Sequence, residues 1–339
     1  MSELTYGVIG CGFWSQFQIA AWREVGGVHL GAVYNRTRSK AAALARRFGH
    51  PRVYDSVGGM IEGQKLDFVD IITSVETHAE YTCLAAKHGV PVICQKPMAP
   101  TMAECQQMVE TCEAANVPLF IHDNWRWQAP IRALKARLDS GRIGMPFRAR
   151  FTYSNSFPVF ANQPFLKELE QFIIMDMGTH VLDTVRLLLG SASSVYCQTA
   201  SVTPDIKGED VATIELRMKS GVHCTVELSY ASHVEHDCFP ELFIMIEGTQ
   251  GSLELAPGCW VRETAEGTTT AERISPPMYP WADPAYALVH SSIVDANRNF
   301  LHALQGIAPA ETTGKDYLKT MAIVFKAYES AHRNAVVKV

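Results

Sequence analysis

Leu4-Thr5-Tyr6-Gly7-Val8-Ile9-Gly10-Cys11-Gly12-Phe13-Trp14-Ser15 decides how this chain is read. Residues 4–9 are a short apolar run suited to a buried strand, and Gly10-Cys11-Gly12 turns it into a helical pattern over Phe13–Val25. Gly10 permits a tight turn, and Gly12 lets the backbone approach a pyrophosphate. The helix start offers N–H groups and a positive dipole end to that anion. Ser15 takes the place of the third glycine of the dinucleotide fingerprint and is small enough for close helix–strand packing. The motif alone is weak. Its setting at the head of a strand–helix series gives it force.

That series continues. Strands are expected at Val28–Tyr34, Leu66–Thr73, Val90–Cys94 and Pro118–Ile121, with helices at Ser39–Phe48, His78–Lys87 and Thr101–Ala115. Thr101 and Glu104 have capping-box spacing. Such alternation predicts a doubly wound parallel sheet with helices on both faces. After His122 the rhythm changes. Helices are expected over Ile131–Leu138 and Phe172–Leu189, and strands at Phe147–Tyr153, Val195–Val202, Val211–Met218, Val222–Tyr230, Leu242–Ile246 and Ser252–Leu255. Lys219-Ser220-Gly221 and residues 247–251 read as hairpin turns. This half predicts a mostly antiparallel sheet, closed by helices near Val289–Leu304 and Lys315–His332. The domain boundaries are set at 1–122 and 123–339, and Ser275–Pro284 reads as an ordered surface loop.

Composition excludes several classes. Of 339 residues, 47% are hydrophobic and 19% charged, which suits a globular protein with ample core. The net charge of −5 supplies no basic field for nucleic acid or an anionic membrane. Nine scattered cysteines without a CxxC predict a reducing cytoplasm rather than disulfides or structural zinc. No run reaches membrane-spanning length, and no basic stretch precedes the first strand as in a signal peptide.

Three segments carry candidate chemistry. The second strand ends in Asn35-Arg36-Thr37-Arg38, where an acidic residue would bind the adenosine ribose and repel a 2′-phosphate. Asn35 can still bond ribose. Arg36 or Arg38 could pair with a phosphate, which leans toward NADP; as solvated surface charges they leave NAD open. The fourth expected strand ends in Gln95-Lys96-Pro97, which places a lysine in the crevice at the strand ends. In the long helix, Asp176, His180 and Asp183 lie at i, i+4 and i+7 on one face. A buried carboxylate beside an imidazole suits proton transfer; a helix-face salt bridge is the plainer reading of such a pair. No third metal ligand is visible beside them, and no metal is expected. His233-Val234-Glu235-His236-Asp237-Cys238 splits its ligands over two faces of an extended chain and reads as a polar loop. The stripe Leu318, Met321, Ala322, Phe325 on the last helix reads as packing within its own domain.

Taken together, these features resemble the Gfo/Idh/MocA oxidoreductases over essentially the whole chain. The residues that carry the likeness are Val8-Ile9-Gly10-Cys11-Gly12, Asn35-Arg36-Thr37, Asp70-Ile71-Ile72-Thr73 with His78, Gln95-Lys96-Pro97, and Asp176-x-Gly-x-His180-x-x-Asp183. The resemblance implies an N-terminal Rossmann domain plus a C-terminal α+β domain whose open sheet forms oligomer contacts, as a homodimer or homotetramer. It implies NAD or NADP as cofactor, a sugar as substrate, and Lys96, Asp176 and His180 as the catalytic set. The cofactor would meet Gly10, Gly12, Phe13, Trp14, Asn35 and Arg36, and beyond them Thr73, His78, Gln95 and Lys96. Asn124 and Arg126 would join Lys96, Asp176 and His180 on the substrate, although Arg126 equally suits an interdomain ion pair and Trp125 and Trp127 suit core. The family usually has Glu before the lysine and Pro after the threonine; here Gln95 and Ser74 stand there.

Residues 92–97, His122–Gln128, Gly208–Thr213 and Ser275-Pro276-Pro277 are similar to the branch that oxidises D-apiose to a lactone. Two other readings remain at this level. One is a cofactor-binding sensor that has lost its chemistry. The other is an aldose–aldose oxidoreductase or redox-assisted glycosidase that recycles a tightly held cofactor.

Overall fold

Strand β1 (Leu4–Ile9) owes its central place to side chains that are apolar on both faces: Tyr6, Val8 and Ile9 are all buried. Around it, in this computed structural model describing residues 3–235 and 239–339, stand β2 (Val28–Tyr34), β3 (Arg52–Tyr54), β4 (Phe68–Ile71), β5 (Val92–Gln95) and β6 (Leu119–His122). The sheet order is β3-β2-β1-β4-β5-β6, and every pairing is parallel. Helices α1 (Ser15–Val25), α2 (Arg38–Arg47), α3 (Val57–Gly63), α4 (His78–Lys87) and α5 (Met102–Ala114) make the connections. Tyr6 stacks on Phe68 at 5.1 Å and tilts against Trp22. The Thr101 hydroxyl accepts from the Glu104 N–H and donates to its carboxylate, so α5 starts at its capping box. This is the expected Rossmann sheet, with β3 and α3 as elements beyond the sequence reading.

The second unit opens with α6 (Ala129–Asp139), β7 (Pro146–Ser154), the short α7 (Val159–Asn162) and α8 (Thr179–Leu189), which follows directly on a π-helical turn over Ile174–Gly178. Then come β8 (Ala192–Ala200), β9 (Val211–Met218), β10 (His223–Ser229), β11 (Phe243–Gly248), β12 (Gly251–Ala256), β13 (Trp260–Ala265) and β14 (Thr268–Arg273). Helices α9 (Ala287–Leu304) and α10 (Gly314–Arg333) and strand β15 (Val337–Lys338) end the chain. The nine-stranded sheet runs β14-β13-β12-β11-β7-β10-β9-β8-β15 and is antiparallel apart from the β7–β10 pair. In β9, Ala212, Ile214, Leu216 and Met218 are buried while Thr213, Glu215 and Arg217 are exposed, so one face builds the core. Both expected hairpins are present, β9–β10 and β11–β12.

The two units are not two consecutive stretches. Residues 278–285 and 290–318 group with residues 1–124, whereas 125–277, 286–289 and 319–339 form the second unit. The sequence reading assigned everything after residue 122 to the second domain. Packing is the reason for the difference. Ile293 and Val294 of α9 bury against Ala21 of α1, with Tyr279 and Trp281 over the same cluster, and the Trp281 indole donates to Glu24.

Candidate active site

The turn after β1 has the geometry that a pyrophosphate requires. Gly10 has φ +104°, and a Cβ there would stand 2.4 Å from the Ile72 carbonyl oxygen, so only glycine fits between the turn and the end of β4. At Gly12 a Cβ would meet nothing within 4 Å, which leaves open space over the first turn of α1. The first N–H groups of that helix have no intrahelical acceptor. Ser15 is fully buried and donates to the Gly12 carbonyl at 2.7 Å, so it stitches the loop to the helix. These features fit a dinucleotide.

Other expected cofactor residues take structural parts in this unit. Asn35 accepts from the Cys11 N–H at 2.9 Å and donates to the Thr37 carbonyl at 3.1 Å, so its amide braces the glycine turn. Arg38 pairs with Asp55, which leaves exposed Arg36 as the cation beside Asn35. Phe13 is 74% exposed, but Trp14 packs against Phe17 and His290. His78 is buried between two loops, its Nδ1 2.9 Å from the Pro97 carbonyl and its Nε2 3.2 Å from that of Thr73. Burial holds its pKa below the ordinary 6.5. With its neutral ring donating to one of the two carbonyls, His78 thus sits between the loop after β4 and the loop after β5. Lys96 lies on the latter, half-buried, and the Lys96–Pro97 bond is cis. Asn124, at the end of the same unit, is buried and donates to Ser292 at 2.8 Å.

In the second unit the π-helical turn carries Asp176, and His180 follows in the first turn of α8. π turns inside helices recur at functional sites. The Tyr230 hydroxyl donates to Asp176 at 3.3 Å. The His180 ring is 5% exposed and stacks on Trp125 at 5.0 Å with the planes 14° apart. Trp125 itself is core, with Tyr153 at its edge. Asp183 does not continue the expected polar stripe. It takes two bonds of 2.7 Å from buried Arg126 and one of 3.0 Å from Thr320, with Arg186 3.7 Å away. Arg126 therefore belongs to a buried ion pair within this unit, holding the 3-10 turn Trp125–Trp127 against α8.

Glu209 lies in a segment quoted above only for its likeness, and its part in the structure was not read from the sequence. Its carboxylate, 7% exposed, accepts from the N–H groups of Phe172 and Ile174, and from the Tyr328 hydroxyl at 2.7 Å. The Met175 N–H donates to that hydroxyl in turn. Together they satisfy the start of the helix that carries Asp176 and His180. A carboxylate 37 residues downstream of Phe172 gives no local signal of this role.

Among the described residues no group of His, Cys, Asp and Glu could hold a metal ion. His233, Val234 and Glu235 are not buried, and the rest of that segment, His236–Cys238, lies outside the described residues. Among the described residues no helix is long and apolar enough to cross a membrane.

A phosphate-ready turn on a 3-2-1-4-5-6 parallel sheet is the mark of a dinucleotide-dependent enzyme; the first unit adds a lysine at a strand end, and the second a buried imidazole one helical turn after a half-buried carboxylate. Residues 4–122 match the model of an oxidoreductase family with an NAD-binding Rossmann fold, and residues 131–254 match the GFO/IDH/MocA C-terminal domain. The chain belongs to this GFO/IDH/MocA family, and its cofactor is NAD or NADP. It is 40% identical over 339 residues to the D-apiose dehydrogenase of Rhizobium rhizogenes, covering 100% of this chain and 98% of the relative. With the D-apiose dehydrogenase of Paraburkholderia graminis it shares 38% over 332 residues, 98% of this chain and 88% of the relative. A solved oxidoreductase from Agrobacterium radiobacter in complex with NAD+, L-tartaric acid and magnesium superposes with a TM-score of 0.97 at 40% identity, over 99% of this chain and 98% of that one. Levoglucosan dehydrogenase in complex with NADH and levoglucosan shares the fold, with a TM-score of 0.87 at 22% identity over 99% of each chain.

Proposed function

We propose that this protein is an NAD(P)-dependent sugar dehydrogenase, with D-apiose as its first candidate substrate and the corresponding lactone as product. The observation that carries the chemistry is the buried His180 imidazole, clamped on Trp125 one helical turn after Asp176. His180 takes the proton of the sugar hydroxyl. Asp176 orients the imidazole and stabilises its cation, and Tyr230 holds Asp176 in turn. Lys96 bonds the reacting oxygen and favours its developing negative charge. When bound, the nicotinamide supplies the hydride acceptor. Gly12 admits the pyrophosphate and Asn35 keeps the turn in shape. Exposed Arg36 is the candidate partner of a 2′-phosphate.

The names of the two D-apiose dehydrogenases, matched along nearly their whole length, support the choice of sugar. The eight described cysteines are buried and outside any disulfide, which supports work in a reducing cytoplasm. The solvent face of the nine-stranded sheet is the proposed contact between copies in a homodimer or homotetramer. It presents the Arg148–Glu247 and Arg262–Glu254 pairs and Trp260, 39% exposed. Light scattering reads that state, and a monomer refutes it.

The activity test is initial-rate reduction of NAD+ and of NADP+ across aldoses, polyols and sugar acids, D-apiose included. Turnover of one sugar, lost in Lys96→Ala, supports the dehydrogenase. Saturable cofactor binding without turnover transfers the reading to a sensor or to an enzyme that recycles its cofactor internally.

A further inference from the structure

We propose that Asp70 is a positioning residue for Lys96, acting through a one-way chain of hydrogen bonds that runs across Gln18 and Gln95. All four residues belong to the first unit. Asp70 Oδ1 accepts from Gln18 Nε2 at 2.6 Å, and Gln18 Oε1 accepts from Gln95 Nε2 at 2.6 Å. Gln95 Oε1 accepts from the backbone N–H of Lys96 at 3.2 Å. The second Asp70 oxygen accepts from the Trp22 indole at 2.9 Å. Asp70, Gln18 and Trp22 are fully buried and Gln95 is 9% exposed.

Chemistry sets the direction of this chain at both ends. An ionised carboxylate can only accept, and a peptide N–H can only donate. Between these ends each glutamine amide has one orientation that makes every bond. Each turns its NH2 toward Asp70 and its oxygen toward Lys96. Buried polar groups must be paired, so a fault at the Asp70 end travels along the amides until it meets a group that cannot turn. That group is the Lys96 N–H. This proposal rests on the reading of Lys96 as catalytic; the chain itself does not.

Two single substitutions break the direction and their combination restores it in reverse. In Asp70→Asn the new NH2 faces that of Gln18. Turning both glutamines moves the fault to Lys96, where donor then faces donor. In Gln95→Glu the two carboxylates stand at opposite ends of Gln18, which has an NH2 at one end only. In the double variant Gln18 turns around. It donates to the new carboxylate at position 95 and accepts from the new amide at position 70. The oxygen of that amide still accepts from Trp22, and the new carboxylate still accepts from the Lys96 N–H.

The experiment measures kcat, the KM for NAD(P)+ and the urea unfolding midpoint of wild type, both single variants and the double variant at pH 8.5. Each single variant is expected to lower kcat about tenfold, the size of one hydrogen bond lost at the Lys96 backbone, and Asp70→Asn, which lies outside the expected cofactor contacts, to leave the cofactor KM nearly unchanged. The double variant is expected to recover kcat to within about threefold of wild type, and the unfolding free energies to show a favourable coupling, the pair costing less than the sum of the singles. Additive losses, with the double variant below either single one, overturn the chain. Where a single variant does not fold, a folded and active double variant is the rescue, and a double variant that also fails overturns it. The unfolding cycle judges the chain without turnover. Lys96→Ala judges the role of Lys96 separately.

Discussion

Replacing Asp70 by asparagine gives a test whose sign follows from burial. The carboxyl is fully buried, and desolvation pushes its pKa from the ordinary 3.8 up to about 7, against the bonds from Trp22 and Gln18 that favour the charged form. The folded protein therefore holds this proton more tightly than the unfolded chain. The stability linked to it is fully present below pH 3.8 and is lost as pH rises through 7. At about 1.36 kcal/mol per pH unit, the span corresponds to about 4 kcal/mol. The asparagine amide has no proton to lose, and its constant mismatch with Gln18 cancels in a slope. The assay is urea unfolding of wild type and Asp70→Asn at half-unit steps from pH 4 to 8.5. The expected result is that wild type loses about 4 kcal/mol relative to the variant across that range. Parallel stability curves would show that Asp70 is ionised at the pH of an ordinary carboxylate, and the account of its burial would fail.

Three further outcomes are expected. Gly12→Ala keeps the wild-type unfolding midpoint, since its Cβ meets nothing within 4 Å, yet weakens NAD(P)+ binding in a fluorescence titration; Gly10→Ala loses both, because its Cβ would stand 2.4 Å from the Ile72 carbonyl oxygen. Arg126→Met takes two 2.7 Å bonds from the buried Asp183 carboxylate, which keeps Thr320 and Arg186, and costs about 1.5–3 kcal/mol in urea unfolding; a loss under about 0.5 kcal/mol contradicts the buried pair. Glu209→Ala leaves the Phe172 and Ile174 N–H groups without their carboxylate and costs about 2–3 kcal/mol, with a fall in kcat as the helix carrying Asp176 and His180 loosens; an unchanged kcat refutes the link between this cap and the site.

The parts of the fold that could be read in advance are those with local signals. The apolar run into Gly10-Cys11-Gly12, the capping box at Thr101 and the hairpin turns each lie within a few residues of the structure they make. β13 escaped because buried Glu263, paired with Arg142, stands where alternation calls for an apolar residue. β14 escaped because all six of its residues are exposed. α3 contains three glycines, which hide a short helix. At the candidate site, Lys96 was singled out by its strand end and Asp176 and His180 by their spacing, while the catalytic roles proposed for them come from the resemblance. Asn35 was found by position and His78 by the resemblance, but the structure gives them bracing parts, visible only through Cys11, Thr73 and Pro97. Gln18 and Glu209 act across 52 and 37 residues of chain, a distance over which periodicity says nothing.

The central claim is that His180 is the base in hydride transfer from a sugar. The measurement that tests it most directly is kcat with D-apiose for wild type and His180→Ala, beside their Kd for NAD(P)+. The account predicts a fall in kcat of about 10²–10⁴ with cofactor affinity within about twofold of wild type. Full turnover in His180→Ala would contradict it.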